Sequence, residues 1–312
     1  MATMRTVKQD ELGGPDVLKV VETERPEPGV GEILVKVHAA GLNPVDWKTR
    51  AYGGLLGRAG DFTLGWDVSG TVAAVGFGVR LYEVGDEVFG MPRFPQFAAG
   101  YSEYVTGPAR HFARKPAGLG HVEAAALPLA GLTAYQSLVD VAGIEAGQTV
   151  LIHAAAGGVG HLAVQIAKAK GAHVIATASA AKHDYLKGIG ADEVVDYTAG
   201  DFAEQVSGID IVLDGVGDEY TARSAPVVRD GGYLITLPGP ADVPAAEEAR
   251  IKAGFSIVEP DLIGLNALAA LVEAGRLTPT VSETYPLDEV GKAHASLETG
   301  RTIGKIVLTV AE

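Results

Sequence analysis

The chain has 312 residues, 47% of them apolar and 21% charged, with a formal net charge of −14 and no cysteine. That is enough apolar material for a sizeable core spread over two domains, and the acidic balance opposes binding to nucleic-acid backbones or anionic membranes. Without cysteine, disulfides, thiolate zinc sites and thiol nucleophiles are excluded.

The first ten residues carry Arg5, Lys8 and Asp10 in a polar pattern, unlike the apolar core of a signal peptide. No run of ~18 apolar residues occurs, so no membrane span is expected. A cytoplasmic protein is the expectation.

Residues 1–117 read as a turn-punctuated β domain. Residues 33–37 form a strand-like run, and 68–76 form another with internal glycines. A third spans 84–90 with a turn signal in its middle. The texture changes near Lys115-Pro116, and from Val122 strand and helix alternate. Strands are expected at 149–153, 173–177, 193–195, 209–213 and 232–237. Helices are expected at 159–169 and 180–189. This alternation predicts a doubly wound parallel sheet over 118–258. A helix at 262–274 ended by Gly275 follows, then a hairpin or strand pair and a last strand at 303–310. The fold class is therefore α/β, a β-rich domain beside a parallel sheet.

The sharpest local motif is His153-Ala154-Ala155-Ala156-Gly157-Gly158-Val159-Gly160, between a strand and a helix. A G-x-G-x-x-G dinucleotide pattern falls on Ala155, Gly157 and Gly160, with alanine at the first position. Gly157 lets the backbone approach a pyrophosphate, and Gly160 lets helix and strand pack closely. Gly158 and Val159 complete the loop, whose N–H groups and helix dipole hold phosphate.

The next strand decides between NAD and NADP. An acid about 20 residues on would bind the ribose of NAD. Here Thr177-Ala178-Ser179-Ala180-Ala181-Lys182 has no carboxylate before Asp184. Ser179 and Lys182, with Tyr197 after the third strand, suit a 2′-phosphate, so NADPH is the expected cofactor. Val216 and Leu237 sit at strand C-termini, where such sheets bind ligands.

Several further motifs come in order: 41–50 (GLNPVDWKTR), 64–72 (LGWDVSGTV), 85–90 (GDEVFG), 130–135 (AGLTAY), the phosphate loop and 303–308 (IGKIVL). The ordered set resembles the medium-chain dehydrogenase/reductase superfamily, in its zinc-free quinone oxidoreductase branch. The resemblance implies a GroES-like catalytic domain split around a Rossmann domain, with 259–312 returning to the first domain, an active site between them, and a homodimer. Zinc-dependent members carry a Cys at the place of Asn43 and a His at the place of Trp66. No metal is therefore expected, and hydrogen bonds must activate the acceptor. That favours a quinone, with an enone or other conjugated carbonyl as the alternative and a non-catalytic NADPH-binding role as a second one.

Asn43 is the first candidate near the nicotinamide ribose or acceptor oxygen, against a role as turn residue before Pro44. Tyr52 is a candidate proton donor and Lys48 an alternative. Asp46 and Asp67 read as structural carboxylates. Thr133 is taken as the start of a helix facing the cofactor, with N-capping as its plain role. His153 reads as a core histidine. Phe94, Phe97 and Tyr101 either form an aromatic loop for a flat ring or pack that loop against the body. No Lys/Arg cluster beyond Lys48, Arg50 and Arg58 occurs in the catalytic domain, which favours small uncharged acceptors. In the family the last motif usually has an Arg just before its Gly-Lys; here that place is Ile303, and the basic residue is Arg301.

Overall fold

The computed structural model describes residues 2–57, 61–240 and 251–310. Arg58 lies outside them. The described chain divides into two compact units. One comprises Met1–Leu132, Glu259–Glu273 and Pro279–Glu312, the other Thr133–Val258 and Ala274–Thr278.

In the first unit, β1 (Thr3–Lys8) and β2 (Lys19–Glu24) form an antiparallel pair. The main sheet is built on β3 (Glu32–Gly41), which pairs antiparallel with β4 (Asp67–Val75). It continues through β5 (Glu87–Gly90), while β6 (Tyr104–Pro108) pairs with β3 and β7 (Phe112–Arg114) with β5. Residues 84–86 are a turn ahead of β5 rather than part of a strand, because Gly85 takes a φ of 100°. Ile33, Val35, Val37, Val68, Val88 and Phe112 are buried together with Ile306 and Leu308. Burial on this scale, at roughly 25 cal/mol per Å2 of apolar surface, is what holds the unit together.

Among the described residues, three α-helices of the N-terminal segment lie in this unit or begin in it. Helix α1 (Pro44–Tyr52) starts at Asn43, and α2 (His121–Ala125) covers small residues of β3 and β4. Helix α3 (Pro128–Tyr135) runs past the end of the first unit, and a π-helical segment, Gln136–Val141, continues it.

In the second unit, six strands form one parallel sheet. They are β8 (Thr149–Ile152), β9 (His173–Ala178), β10 (Glu193–Asp196), β11 (Ile209–Asp214), β12 (Val228–Thr236) and β13 (Lys252–Phe255), in the spatial order β10-β9-β8-β11-β12-β13. Val150, Leu151, Ile152, Ile211 and Val212 are fully buried, as a sheet covered on both faces demands. Helix α4 (Gly160–Ala169) buries Leu162, Ala163, Val164, Ile166 and Ala167. The stretch expected as one helix over 180–189 is a 3-10 turn, Ala180–Lys182, followed by α5 (His183–Gly188). Helix α6 (Glu219–Ser224) follows β11. The strand order reverses between β8 and β11, the switch point at which such sheets bind ligands.

The C-terminal segment begins with α7 (Leu262–Glu273), and Gly275 beyond it takes a φ of 66°. In place of the hairpin or strand pair expected ahead of the last strand there is one strand followed by a helix. β14 (Val281–Pro286) and β15 (Lys305–Thr309) are parallel, which two adjacent strands achieve only through a crossover. Helix α8 (Val290–Glu298) supplies it. β15 then pairs antiparallel with β3 and returns the chain to the first sheet.

Candidate active site

The phosphate loop leaves β8 at Ile152 and enters α4 at Gly160. Ala154 takes a φ of 49° to turn the chain, and Ala155 is fully buried. A Cβ at Gly160 would lie 2.5 Å from the Ala154 carbonyl oxygen and 2.6 Å from Ala155 Cα, so only glycine lets α4 start here. A Cβ at Gly157 meets nothing nearer than 3.2 Å. The protein itself therefore tolerates a side chain there better, and the demand for glycine falls on the space outside. Gly158 and Val159 lie in the turn between them. These residues fit a dinucleotide pyrophosphate.

The other strand ends complete this region. Ser179 follows β9 and caps the 3-10 turn in extended conformation. The Lys182 N–H donates to the Ser179 carbonyl at 2.9 Å, and the residue is half-buried. Tyr197, after β10, is 45% exposed. Asp196, at the end of β10, stands in register with Ala178. The sequence reading missed this acid because it belongs to the next strand. The Thr198 hydroxyl donates to its carboxylate at 2.6 Å, which holds the group below the usual carboxylate range.

Asp214, at the end of β11, is another residue the sequence reading passed over. Its Oδ1 accepts from the Val216 and Gly217 N–H groups at 2.8 and 2.9 Å, and its Oδ2 accepts from the Thr221 hydroxyl. It shapes the loop that leaves Val216 40% exposed. The Leu237 N–H donates to the Asp214 carbonyl at 3.0 Å, fixing the next loop. His153 is a core residue, as its setting suggested. It hydrogen-bonds to Thr177 and Ser224, packs on Phe202, and burial pushes its pKa down to about 4. Thr133 lies inside α3, past its first turn, so it caps nothing. It is almost wholly buried.

The first unit holds a buried polar network around Asn43. The Asn43 N–H donates to the Asp46 carboxylate at 2.6 Å, the reciprocal bond of a capping box that starts α1. The Asn43 amide donates to Asp67 Oδ2 at 2.8 Å, and its oxygen accepts from the Lys305 ammonium. Asn43 is only 1% exposed, engaged at both ends of its amide. It holds the network rather than presenting itself to an acceptor. Lys305 also donates to the Leu42 carbonyl at 2.6 Å and lies 3.6 Å from Asp67. Asp67 Oδ1 in turn accepts from the Leu129 N–H at the start of α3.

Burial sets the protonation of this network. It pushes Asp46 up to about 7, against the Asn43 N–H that favours the charged form. It also raises Asp67 and lowers Lys305, while their mutual attraction opposes both shifts. Tyr101 is fully buried beside Asp46, and burial raises its phenol well above the usual value. Tyr101 is therefore a core residue and not part of an aromatic mouth.

Beside the network lies a shallow apolar recess of about 10 Å3, room for about one water molecule. One face of α1 supplies Val45 and Thr49, and Gly53 and Leu55 extend it. Trp66, Pro95 and Phe97 form the opposite wall. Trp66 Nε1 donates to the Gln96 carbonyl at 2.8 Å. Its ring meets Phe94 edge-on at 5.4 Å and stacks toward Phe97 at 6.5 Å. Lys48 and Tyr52 do not join Asn43. Tyr52 is 74% exposed at the end of α1 against Trp47, and Lys48 is exposed with its ammonium over the same indole. Arg50 is not a surface cation. It is 1% exposed, bonded to Gly13, His294 and Glu298. Arg301 is exposed.

Two family models match the chain. An alcohol dehydrogenase GroES-like domain matches residues 29–117, and a zinc-binding dehydrogenase domain matches residues 189–308. The 2-methylene-furan-3-one reductase of Solanum lycopersicum is 36% identical over 98% of this chain and 79% of its own. The solved quinone oxidoreductase of Coxiella burnetii is 36% identical, with a TM-score of 0.93 over 99% of this chain and 100% of that one. A mycobacterial protein solved in complex with NADPH is 32% identical, with a TM-score of 0.87 over 98% and 99% of the two chains. The chain belongs to the medium-chain dehydrogenase/reductase superfamily and, within it, to the zinc-free quinone oxidoreductase branch.

The zinc in one model's description finds no fitting donors here. The Trp66 indole offers no lone pair in the ring plane, and its N–H is committed to Gln96. Asn43 is committed to Asp67 and Lys305. Among the described residues, no group of three or more His, Cys, Asp or Glu is placed to hold a metal ion. None of their helices is long and apolar enough to cross a membrane.

Proposed function

We propose that the protein reduces a quinone, or a similar conjugated carbonyl compound, with hydride from NADPH and without zinc. The observation that carries this reading is the wall at Trp66. The position that offers a metal ligand in zinc-dependent members here closes a neutral aromatic recess, so the acceptor must yield an oxyanion already stabilised by conjugation. The name of the Coxiella burnetii protein supports a quinone. The tomato relative, by its name a reductase of a methylene-furanone, supports the wider class of conjugated carbonyls.

NADPH, when bound, supplies the hydride. The loop from Ala155 to Gly160 holds its pyrophosphate, and Ser179 and Lys182, with Tyr197, hold the 2′-phosphate. Val216 and Leu237, on loops fixed by Asp214, border the strand ends, and Thr133 lies on the helix that enters this unit. The mycobacterial complex with NADPH supports this assignment. The acceptor lies against Val45, Thr49, Trp66 and Phe97, which exclude water from the reacting carbonyl. It gains one hydride and one proton, so a quinone leaves as a hydroquinone. Tyr52, one step around α1 from the stripe of Val45, Thr49 and Gly53, delivers the proton from the solvent side. Lys48 lies further round and stays with Trp47. A cytoplasmic homodimer is part of the same reading.

The test is turnover with 1,4-benzoquinone using NADPH carrying deuterium at the transferred position. A primary isotope effect is expected. Absence of turnover with any quinone or enone would withdraw the reading. The Tyr52→Phe variant should keep its NADPH affinity and lose at least about a hundredfold in turnover, the lower end of the range for a general acid.

A further inference from the structure

We propose that Arg93 is a positioning residue for the acceptor wall, latched by His111 in its neutral form and released when that ring gains a proton. The inference rests on the reading of Trp66 and Phe97 as the surface that meets the acceptor. The loop 92–99 carries Phe94, Pro95 and Phe97. Near each end it passes through left-handed backbone, at Arg93 with a φ of 61° and at Ala99 with a φ of 60°. Neither residue is a glycine, so each conformation is costly and persists only where surrounding contacts impose it. Beyond Ala99 the contacts are backbone bonds, from the Gly100 N–H to the Gly65 carbonyl at 2.9 Å and from the Tyr101 N–H to the Leu64 carbonyl at 3.1 Å. At Arg93 the contacts involve side chains, one of which titrates.

The Arg93 N–H donates to His111 Nδ1 at 2.9 Å. The Arg93 guanidinium pairs with Glu32, whose other oxygen accepts from the Gly29 N–H at 3.0 Å. Its Nε reaches the Thr106 carbonyl at 3.4 Å. Hydrogen bonds then run on to the wall. The Arg93 carbonyl accepts from the Gln96 N–H at 2.7 Å, and the Gln96 carbonyl accepts from Trp66 Nε1 at 2.8 Å. The first bond of this series needs a lone pair on His111 Nδ1. A protonated imidazole donates at both nitrogens, so it would turn an N–H against the Arg93 N–H. The His111 carbonyl accepts from the Met91 N–H at 3.1 Å, which keeps the residue beside the loop. Arg93 faces the ring from the loop, with Glu32 of β3 as the counter-ion of that cation, and Arg110 precedes His111 on its own turn. Burial and the Arg93 charge hold the ring below the ordinary histidine pKa. The latch is therefore closed at neutral pH and opens on acidification.

The experiment follows Trp66. The chain has two tryptophans, so Trp47→Phe leaves Trp66 as the sole indole. In that background, quenching of the emission by acrylamide should rise about twofold or more as pH falls from 8 to 5, with a midpoint below ~6.5. Adding His111→Asn, whose amide oxygen takes the place of Nδ1 and does not titrate, should abolish the rise. Adding Arg93→Gly instead keeps the N–H but frees the backbone and removes the partner of Glu32. That variant should be quenched at pH 8 as strongly as its parent at pH 5. With Trp47 restored, the KM for 1,4-benzoquinone should rise about threefold or more over the same range, with the NADPH KM unchanged, and stay level in His111→Asn. No rise in quenching, or the same rise in His111→Asn, overturns the proposal, as does a rise with a level quinone KM. Weak quenching of Arg93→Gly at pH 8 overturns it even where His111→Asn fails to fold. The expected quenching without any hydride transfer would uphold the latch and withdraw the proposed reaction instead.

Discussion

The Lys305 ammonium lies 3.6 Å from the Asp67 carboxylate, and both groups are buried. The same ammonium donates to the Leu42 carbonyl and the Asn43 amide, so one cation ties the last strand to the start of α1. Asp67 carries the tie on to the start of α3 through the Leu129 N–H. The recess is built on α1, so its shape depends on this cation.

Lys305→Met should therefore be costly. It removes the buried cation that balances Asp67 and leaves the Leu42 carbonyl and the Asn43 oxygen without their donor. Breaking a buried pair in this way costs about 3–5 kcal/mol. Urea unfolding measures it, and a loss below about 1 kcal/mol would show that the network relaxes without its cation.

Asp46 makes a prediction about pH. Its carboxyl is pushed from the usual range up to about 7 by burial. A group with a raised folded pKa binds a proton in the native state that the unfolded chain has already released. Its stabilising contribution is full below about 4 and is lost as pH rises through about 7. Asp46→Asn does not titrate, so the variant should gain on wild type between pH 5 and pH 8. Urea midpoints at the two pH values check this, and a constant gap would mean that the carboxyl is ionised throughout.

The two loop glycines should behave differently. Gly160→Ala drives a Cβ into the backbone of Ala154 and Ala155, so it should lower stability by about 1–3 kcal/mol and weaken NADPH binding as well. Gly157→Ala meets only the Ala154 carbonyl oxygen at 3.2 Å, so it should keep stability and weaken binding alone. Thermal unfolding with and without NADPH separates the two. Equal stability losses would mean that Gly157 also serves packing.

Lys182→Ala should raise the KM for NADPH about tenfold or more and leave that for NADH within about twofold, because the ammonium serves only the 2′-phosphate. Parallel losses with both nucleotides would remove the basis for preferring NADPH.

The parts of the fold legible in the sequence are those whose signal is local. The apolar runs of β8 and β11 and the glycines of the phosphate loop announce themselves within a few residues. The half-exposed edge strand β13 does not, because its residues alternate between exposed and half-buried around a glycine. The parallel pairing of β14 and β15 was hidden because α8 between them exposes much of its surface and carries a weak stripe. Lys305 was passed over because lysine is almost always solvated, and its partners Asn43 and Asp67 lie far away in sequence. Asn43 showed the importance of its position without showing that its amide is committed at both ends. Tyr101 has the composition of a ligand-facing aromatic, and only the packing around Gly65 and Asp46 reveals it as core.

The most direct test of the account is reduction of 1,4-benzoquinone and 1-octen-3-one by NADPH, and separately by NADH, with protein dialysed against a chelator and checked for metal. The account predicts turnover by the metal-free protein with NADPH strongly preferred. Turnover that appears only when zinc is restored, or that runs equally with NADH, would contradict it.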